Sequence, residues 1–173
     1  IHNVNFIGLS VGLLLNNAVL FDCQNLRFRN CRLAEHDQRC HRSNFSNISV
    51  EFCAKGFEIH SNQIIVNGYN ASFCNVGLHV AAGNNSINSA YLETLYEGEA
   101  QLLVGDTAGR KVHGNVFTAL TISAPNLIAI KWLPTAGMMS IFGGEIQSTN
   151  FIIEGTPIVI TQSVLGIIPN TKK

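Results

Sequence analysis

Charge is scarce in this chain: 13% of its 173 residues are Asp, Glu, Lys or Arg, about half the share in an ordinary soluble domain. The 11 basic and 11 acidic residues cancel, so no basic surplus exists to hold nucleic acid or an anionic membrane surface. No apolar run approaches the roughly 18 residues that span a bilayer, and the first candidate, Val11 to Leu15, is strand-sized. Membrane insertion is therefore not expected, and no charged-then-apolar leader opens the sequence. Cysteine pairs of the CxxC type are also missing. The five cysteines, Cys23, Cys31, Cys40, Cys53 and Cys74, are odd in number and irregularly spaced, which excludes a structural zinc motif and reads as reduced, buried thiols. Neither a helical period nor a glycine-rich phosphate loop appears. Gly8-Leu-Ser10-Val-Gly12 has the letters of a nucleophile elbow, but it sits between two β segments rather than between a strand and a helix.

Apolar residues make up 46% of the chain, with 15 glycines and many asparagines, which points to a turn-rich β protein rather than to disorder. An aromatic or β-branched column recurs at Phe6, Phe28, Val50, Phe73, Tyr91, Phe117 and Phe142, in steps of 22, 22, 23, 18, 26 and 25 residues. Three positions before each of the first five stands an asparagine: Asn3, Asn25, Asn47, Asn70 and Asn88. The sixth has Gly114 there, with Asn115 shifted by one, and the seventh has Met139. The phrases Asn3-Val-Asn-Phe6, Asn25-Leu-Arg-Phe28 and Asn47-Ile-Ser-Val50 alternate inward apolar with outward polar, the mark of a half-buried strand. A second strand follows in most repeats, at Gly12–Leu15, Gly56–His60, Gly77–Val80, Gln101–Val104, Asn126–Ile130 and Asn150–Ile153, often behind a glycine read as a sharp corner.

Two or three short strands per repeat, with no helices, predict an all-β right-handed parallel β-helix, a solenoid of about seven coils of roughly 22 residues, forming one domain over 1–173. Stacked asparagines about 4.8 Å apart would hydrogen-bond along the axis as an Asn ladder. Asn44, Asn47, Asn70 and Asn84 each begin a glycosylation sequon, and two of them are ladder positions expected to be buried and unmodified. Cys31 and Cys53 each follow the column residue by three and should stack on adjacent coils. The segment 156–173 reads as a terminal coil or as a surface held against a partner chain. The sequence begins on a ladder coil with no capping helix, which reads as a piece of a longer fibrous protein.

Two stretches interrupt the repeat. In the second coil, residues 32–42 are the most polar of the chain and hold His36, Asp37, Cys40 and His41. Their spacing fits no standard metal-binding pattern, so no metal is expected and the stretch reads as a solvated loop or helical turn that leaves the stack. In the fifth coil, Ala90–Glu99 gathers Glu93, Glu97 and Glu99 beside Tyr91 and Tyr96. Rings beside acids suit sugar, since rings stack on sugar faces while carboxylates accept from hydroxyls or act as acid and base. Glu51 lies two coils from Glu93 on the same strand, one position out of register, with outward Arg29 below Glu51 as an ion-pair partner. This makes Glu51, Glu93 and Glu97 the candidate catalytic carboxylates and Tyr91, Tyr96 and Glu99 the candidate substrate-binding residues. The three aspartates, Asp22, Asp37 and Asp106, are too scattered to gather calcium for an elimination reaction. His60 and His79 fall at the ends of neighbouring second strands and are expected to lie close together as half-buried packing residues.

The stacked repeats, with Phe142-Gly-Gly-Glu-Ile-Gln147 and Tyr91-Leu-Glu-Thr-Leu-Tyr-Glu97, resemble the pectate-lyase-like superfamily of right-handed β-helices, and within it the phage tailspike and tail-fibre proteins, over residues 1 to about 155. The resemblance implies a homotrimer in the virion tail, assembled in the host cytoplasm. Such a protein recognises bacterial surface polysaccharide, and many of its kind also depolymerise it as glycoside hydrolases or polysaccharide lyases. No cofactor is implied. No catalytic motif carries over residue by residue, and the fold also hosts inert shafts and free-standing polysaccharide lyases and hydrolases. A non-enzymatic virion shaft and a free-standing enzyme are therefore the alternative readings.

Overall fold

The computed structural model describes residues 1–94, 98–125, 127–148, 150–155 and 159–160, with only the backbone described for 36–38 and 159–160. Among the described residues the chain forms fifteen strands and no helix. In chain order they are β1 (His2–Ile7), β2 (Val11–Asn16), β3 (Asp22–Arg29), β4 (Leu33–Gln38), β5 (Asn44–Glu51), β6 (Lys55–Ile59), β7 (Ile65–Ser72), β8 (Val76–Val80), β9 (Ser86–Glu93), β10 (Ala100–Val104), β11 (Val116–Ser123), β12 (Ile128–Trp132), β13 (Ser140–Gln147), β14 (Asn150–Ile153) and β15 (Val159–Ile160). Odd-numbered strands build one sheet of eight and even-numbered strands a second sheet of seven, each in unbroken order, and all pairings are parallel. One strand from each sheet makes one coil, so the chain is a parallel β-solenoid of about seven turns.

The core lies between the two sheets, and strand register keeps it in columns. One inward column runs Phe6, Phe28, Val50, Ala71, Leu92, Ile122 and Ile146, with separations of 22, 22, 21, 21, 30 and 24 residues. Phe6 and Phe28 stack at 4.7 Å between ring centroids. The expected column holds for its first three members and then drifts. Phe73 sits two positions past Ala71, at a corner, where its ring stacks on Phe52 at 4.9 Å. Tyr91 precedes Leu92 and so points outward. Phe117 belongs to a different inward column, with Ile87, and Phe142 is exposed opposite Thr118. A constant step fails because corners absorb insertions while the ladders between strands stay in register. The 30-residue coil from Leu92 to Ile122 carries the largest insertion.

The asparagine ladder is real but shorter than expected, and it is exposed. Asn25 Nδ2 donates to Asn3 Oδ1 at 2.9 Å, and Asn47 Nδ2 to Asn25 Oδ1 at 2.6 Å. All three residues have left-handed backbones, with φ of 58°, 55° and 53°. The same position continues as Gly68, Ser89, Ala119 and Gly143, again at positive φ (69°, 56°, 52° and 66°). Each coil therefore repeats a left-handed backbone conformation at one strand position, and asparagine is one way to fill it. Asn70 and Asn88 fall outside this column: Asn70 pairs with Ser49, and Asn88 with Asn67, which takes its own side-chain hydrogen bond at 2.9 Å. Asn44, Asn47, Asn70 and Asn84 are all exposed, so burial does not protect the sequons.

A buried asparagine pair stands at another corner. Asn85 Oδ1 accepts from Ile64 N at 2.8 Å, Asn115 Oδ1 accepts from Asn85 N at 2.9 Å, and both amides donate to Ala82 O. Stacked cysteines form a third ladder. Cys31 N donates to Cys53 Sγ at 3.4 Å, and all five cysteines are buried and outside any disulfide. The Cys74 S–H and the Cys31 N–H both favour the Cys53 thiolate, and against the opposing effect of burial they hold that thiol down at about 7.

The polar stretch 32–42 does not leave the stack. Leu33–Gln38 forms β4, paired with β2 through Leu13 and Glu35 and with β6 through Glu35 and Phe57. Glu35 is fully buried, in a column whose other members face the core. Parallel strands on both sides supply a complete ladder of backbone partners, and that pairing outweighs the local preference of charged residues for solvent.

Candidate functional site

The eight-stranded sheet turns one face outward, and past the left-handed position it carries two columns. The first runs Asn5, Arg27, Ser49, Asn70, Tyr91, Thr121 and Glu145. The second runs Ile7, Arg29, Glu51, Ser72, Glu93, Ser123 and Gln147. Period-two alternation puts Tyr91 and Glu93 on this same face with Leu92 buried between them. The Tyr91 ring is 37% exposed, flanked along its column by the amide of Asn70 and the hydroxyl of Thr121. Shallow hollows of about 360 Å³ over Asn5, Asn25, Arg27 and Asn47, and about 180 Å³ between Arg27, Arg29 and Glu51, extend the face toward the first coils.

Glu51 and Glu93 are in register, not one position out, with Ser72 between them. Two strand spacings put their backbones about 9.6 Å apart. Glu51 Oε2 lies 3.8 Å from Arg29 Nε, on the side away from Glu93. No ion pair among the described residues reaches Glu93. Glu99 immediately precedes β10, where Lys131 Nζ on β12 bonds its carboxylate at 2.8 Å. Tyr96 and Glu97 lie outside the described residues.

A second cluster, on the seven-stranded sheet, was only half visible in the sequence. Glu58 on β6 and His79 on β8 are register partners, and His60 follows β6. The rings of His60 and His79 meet edge to face at 5.5 Å, as their spacing predicted. The carboxylate that joins them was missed because strand alternation alone does not reveal which outward positions become covered. Glu58 is 6% exposed and His79 5%. Glu58 Oε1 accepts from Lys55 Nζ at 2.8 Å. Beside the cluster opens a cleft of about 460 Å³, lined by His60 together with Arg39, His41, Arg110 and Lys111.

The chain matches no family model, no curated protein and no solved structure. Its class is therefore defined by its own geometry: a parallel β-solenoid with a polar, laddered outer face and a buried imidazole–carboxylate cluster on the opposite sheet.

Proposed function

We propose that the chain is a carbohydrate-binding solenoid that takes a polysaccharide along the outer face of its eight-stranded sheet. The observation that carries this reading is Tyr91. Its exposed ring stands in a flat face of amides, hydroxyls and carboxylates, at the height of Asn70 and Thr121 and beside Glu93. An aromatic ring covers the apolar face of a sugar, while amide and carboxylate oxygens accept from its hydroxyls. Repeated columns at about 4.8 Å offer the same contacts again along the solenoid axis, which suits a polymer better than a small molecule. The resemblance to tailspikes supports a bacterial surface polysaccharide as the ligand and a trimeric virion spike as the setting.

The reading favours binding over cleavage, because Glu51 lies beside the guanidinium of Arg29, which occupies one of the two carboxylates that cleavage would need. The test is a glycan array spanning bacterial surface polysaccharides, with light scattering for oligomeric state. Binding by the native chain, reduced at least about tenfold in Tyr91→Ala with an unchanged circular dichroism spectrum, is expected. An array with no hits, or Tyr91→Ala binding as well as the native chain, overturns the proposal.

A further inference from the structure

We infer that Glu58, His60 and His79 form a binding site for a single transition-metal ion of the zinc type, independent of the polysaccharide face. The geometry starts from His79. Its Nε2 lies 2.9 Å from the carbonyl oxygen of Gly105, which can only accept, so Nε2 carries the proton. In the neutral ring Nδ1 then holds a lone pair. That Nδ1 is buried without a hydrogen-bond partner and faces Glu58 Oε1 at 3.6 Å. A buried lone pair facing a carboxylate oxygen is unfavourable unless a second ring proton or a metal ion stands between them, and a metal ion would engage His60 as well. A carbonyl holding the distal ring nitrogen while the near one is left to ligate is the usual support of a metal-bound histidine.

The remaining distances fit a small ion. His60 Nε2 is 3.8 Å from Glu58 Oε2, and one donor atom from each of the three residues lies within 4.8 Å of the others. Ligands at about 2.0–2.1 Å around a tetrahedral zinc stand roughly 3.4 Å apart, so modest side-chain rotation closes the set. Two imidazoles and one carboxylate favour zinc, nickel or copper over calcium or magnesium, which prefer an all-oxygen shell. His60 also lines the 460 Å³ cleft, which gives the ion an entry path and leaves a fourth position toward solvent.

Lys55 is the competitor. Its Nζ already bonds Glu58 Oε1 at 2.8 Å, but its side chain is 48% exposed and free to swing into water. Removing it should therefore strengthen metal binding, the opposite of what a general loss of structure would do.

The test is calorimetric titration of the metal-free full chain with Zn²⁺, with Co²⁺ absorption to identify the donors. Expected are one ion per chain, a cobalt spectrum without thiolate charge-transfer bands, a loss of at least about tenfold in affinity in His60→Ala, and a gain in Lys55→Ala. His60→Ala is the main variant because His60 is partly exposed, whereas His79→Ala risks the fold. Absence of binding, thiolate bands, or unchanged affinity in both variants overturns the inference and leaves the cluster as an ion-pair network around Glu58.

Discussion

The hydroxyl of Tyr69 donates to the carbonyl of Gly77 at 2.6 Å, joining the two sheets through the middle of the core. The same oxygen accepts from Phe57 N at 3.1 Å, and the ring is fully buried between Phe57 and the columns of β7. Tyr69→Phe keeps the shape and strands one buried donor and one buried acceptor. It should destabilise the chain by about 2–4 kcal/mol, read from urea unfolding, while leaving the circular dichroism spectrum unchanged. Gly56 explains its own identity by the same contact: a Cβ there would fall 2.1 Å from Gly77 O and 2.5 Å from the Tyr69 hydroxyl. Gly56→Ala should therefore cost at least as much as Tyr69→Phe.

The left-handed column separates conformation from ladder bonding. Asn25 makes two side-chain bonds at φ of 55°, whereas Ala119 occupies the equivalent place at φ of 52° with no polar side chain. A non-glycine residue in that region is strained by roughly 1–2 kcal/mol; glycine relieves that strain but gives back part of the gain through its greater freedom when unfolded. Ala119→Gly should stabilise the chain by up to about 1 kcal/mol. Asn25→Ala should cost more than Asn25→Gly, because alanine loses the ladder and keeps the strain. Thermal unfolding of the three variants checks the order, and equal losses for both Asn25 variants would mean that backbone strain contributes nothing at this position.

These positions also show how far the sequence could be read. The first three coils keep a step of 22 residues and fill the left-handed position with asparagine, so Phe6, Phe28 and Val50 fall at a constant spacing in the sequence. Once Gly68 and Ser89 replaced asparagine and the step fell to 21, matching letters led to Phe73 and Tyr91 instead of Ala71 and Leu92. A one-residue slip turns a side chain from core to solvent, so a small error in register assigned Tyr91 to the core column when it stands on the outer face. The second-strand segments survived because short apolar runs are informative without register. β4 was lost because Glu35 is buried by its neighbours' pairing, which no local window records. Glu51 and Glu93 were found through composition, but their common column became visible only with Ser72 placed between them.

Asp106 pins the insertion that lengthens the fifth coil. Its carboxylate accepts from Ala108 N, Arg110 N and Arg110 Nε at 3.1, 3.1 and 2.6 Å, and its backbone N–H donates to Thr135 Oγ1 at 2.8 Å. Burial pushes its pKa up, but the Arg110 guanidinium and the two N–H groups outweigh that and hold it below the usual carboxylate value. A carboxyl depressed in the folded state contributes stability above its unfolded pKa of about 3.9, and that contribution disappears as pH falls through the lower folded value. Asp106→Asn should lower stability by about 1–3 kcal/mol at pH 7. The difference from the native chain should be flat from pH 5 to 8 and shrink below about pH 4. Melting temperatures across that range measure it, and a difference that persists unchanged at pH 2.5 would mean that the charge of Asp106 is not what secures the loop.

Glu93 is the acid on which binding and cleavage give opposite expectations. If the face only binds, Glu93→Gln removes a charged acceptor but keeps an amide that can both accept and donate, so affinity for the polysaccharide should fall modestly, by about two- to tenfold. Glu51→Gln should fall by less, because Glu51 already faces Arg29. If the face cleaves, with Glu93 as acid and Glu51 as base across about 9.6 Å, either substitution should abolish the release of new reducing ends while leaving binding almost intact. Measuring both quantities on one polysaccharide separates the outcomes without knowledge of the bond. The position of Ser72 between the two carboxylates makes a third variant informative. Ser72→Tyr would fill the gap an inverting water must occupy, so it should block cleavage, whereas on a purely binding face an added ring in line with Glu51 and Glu93 should leave affinity equal or higher.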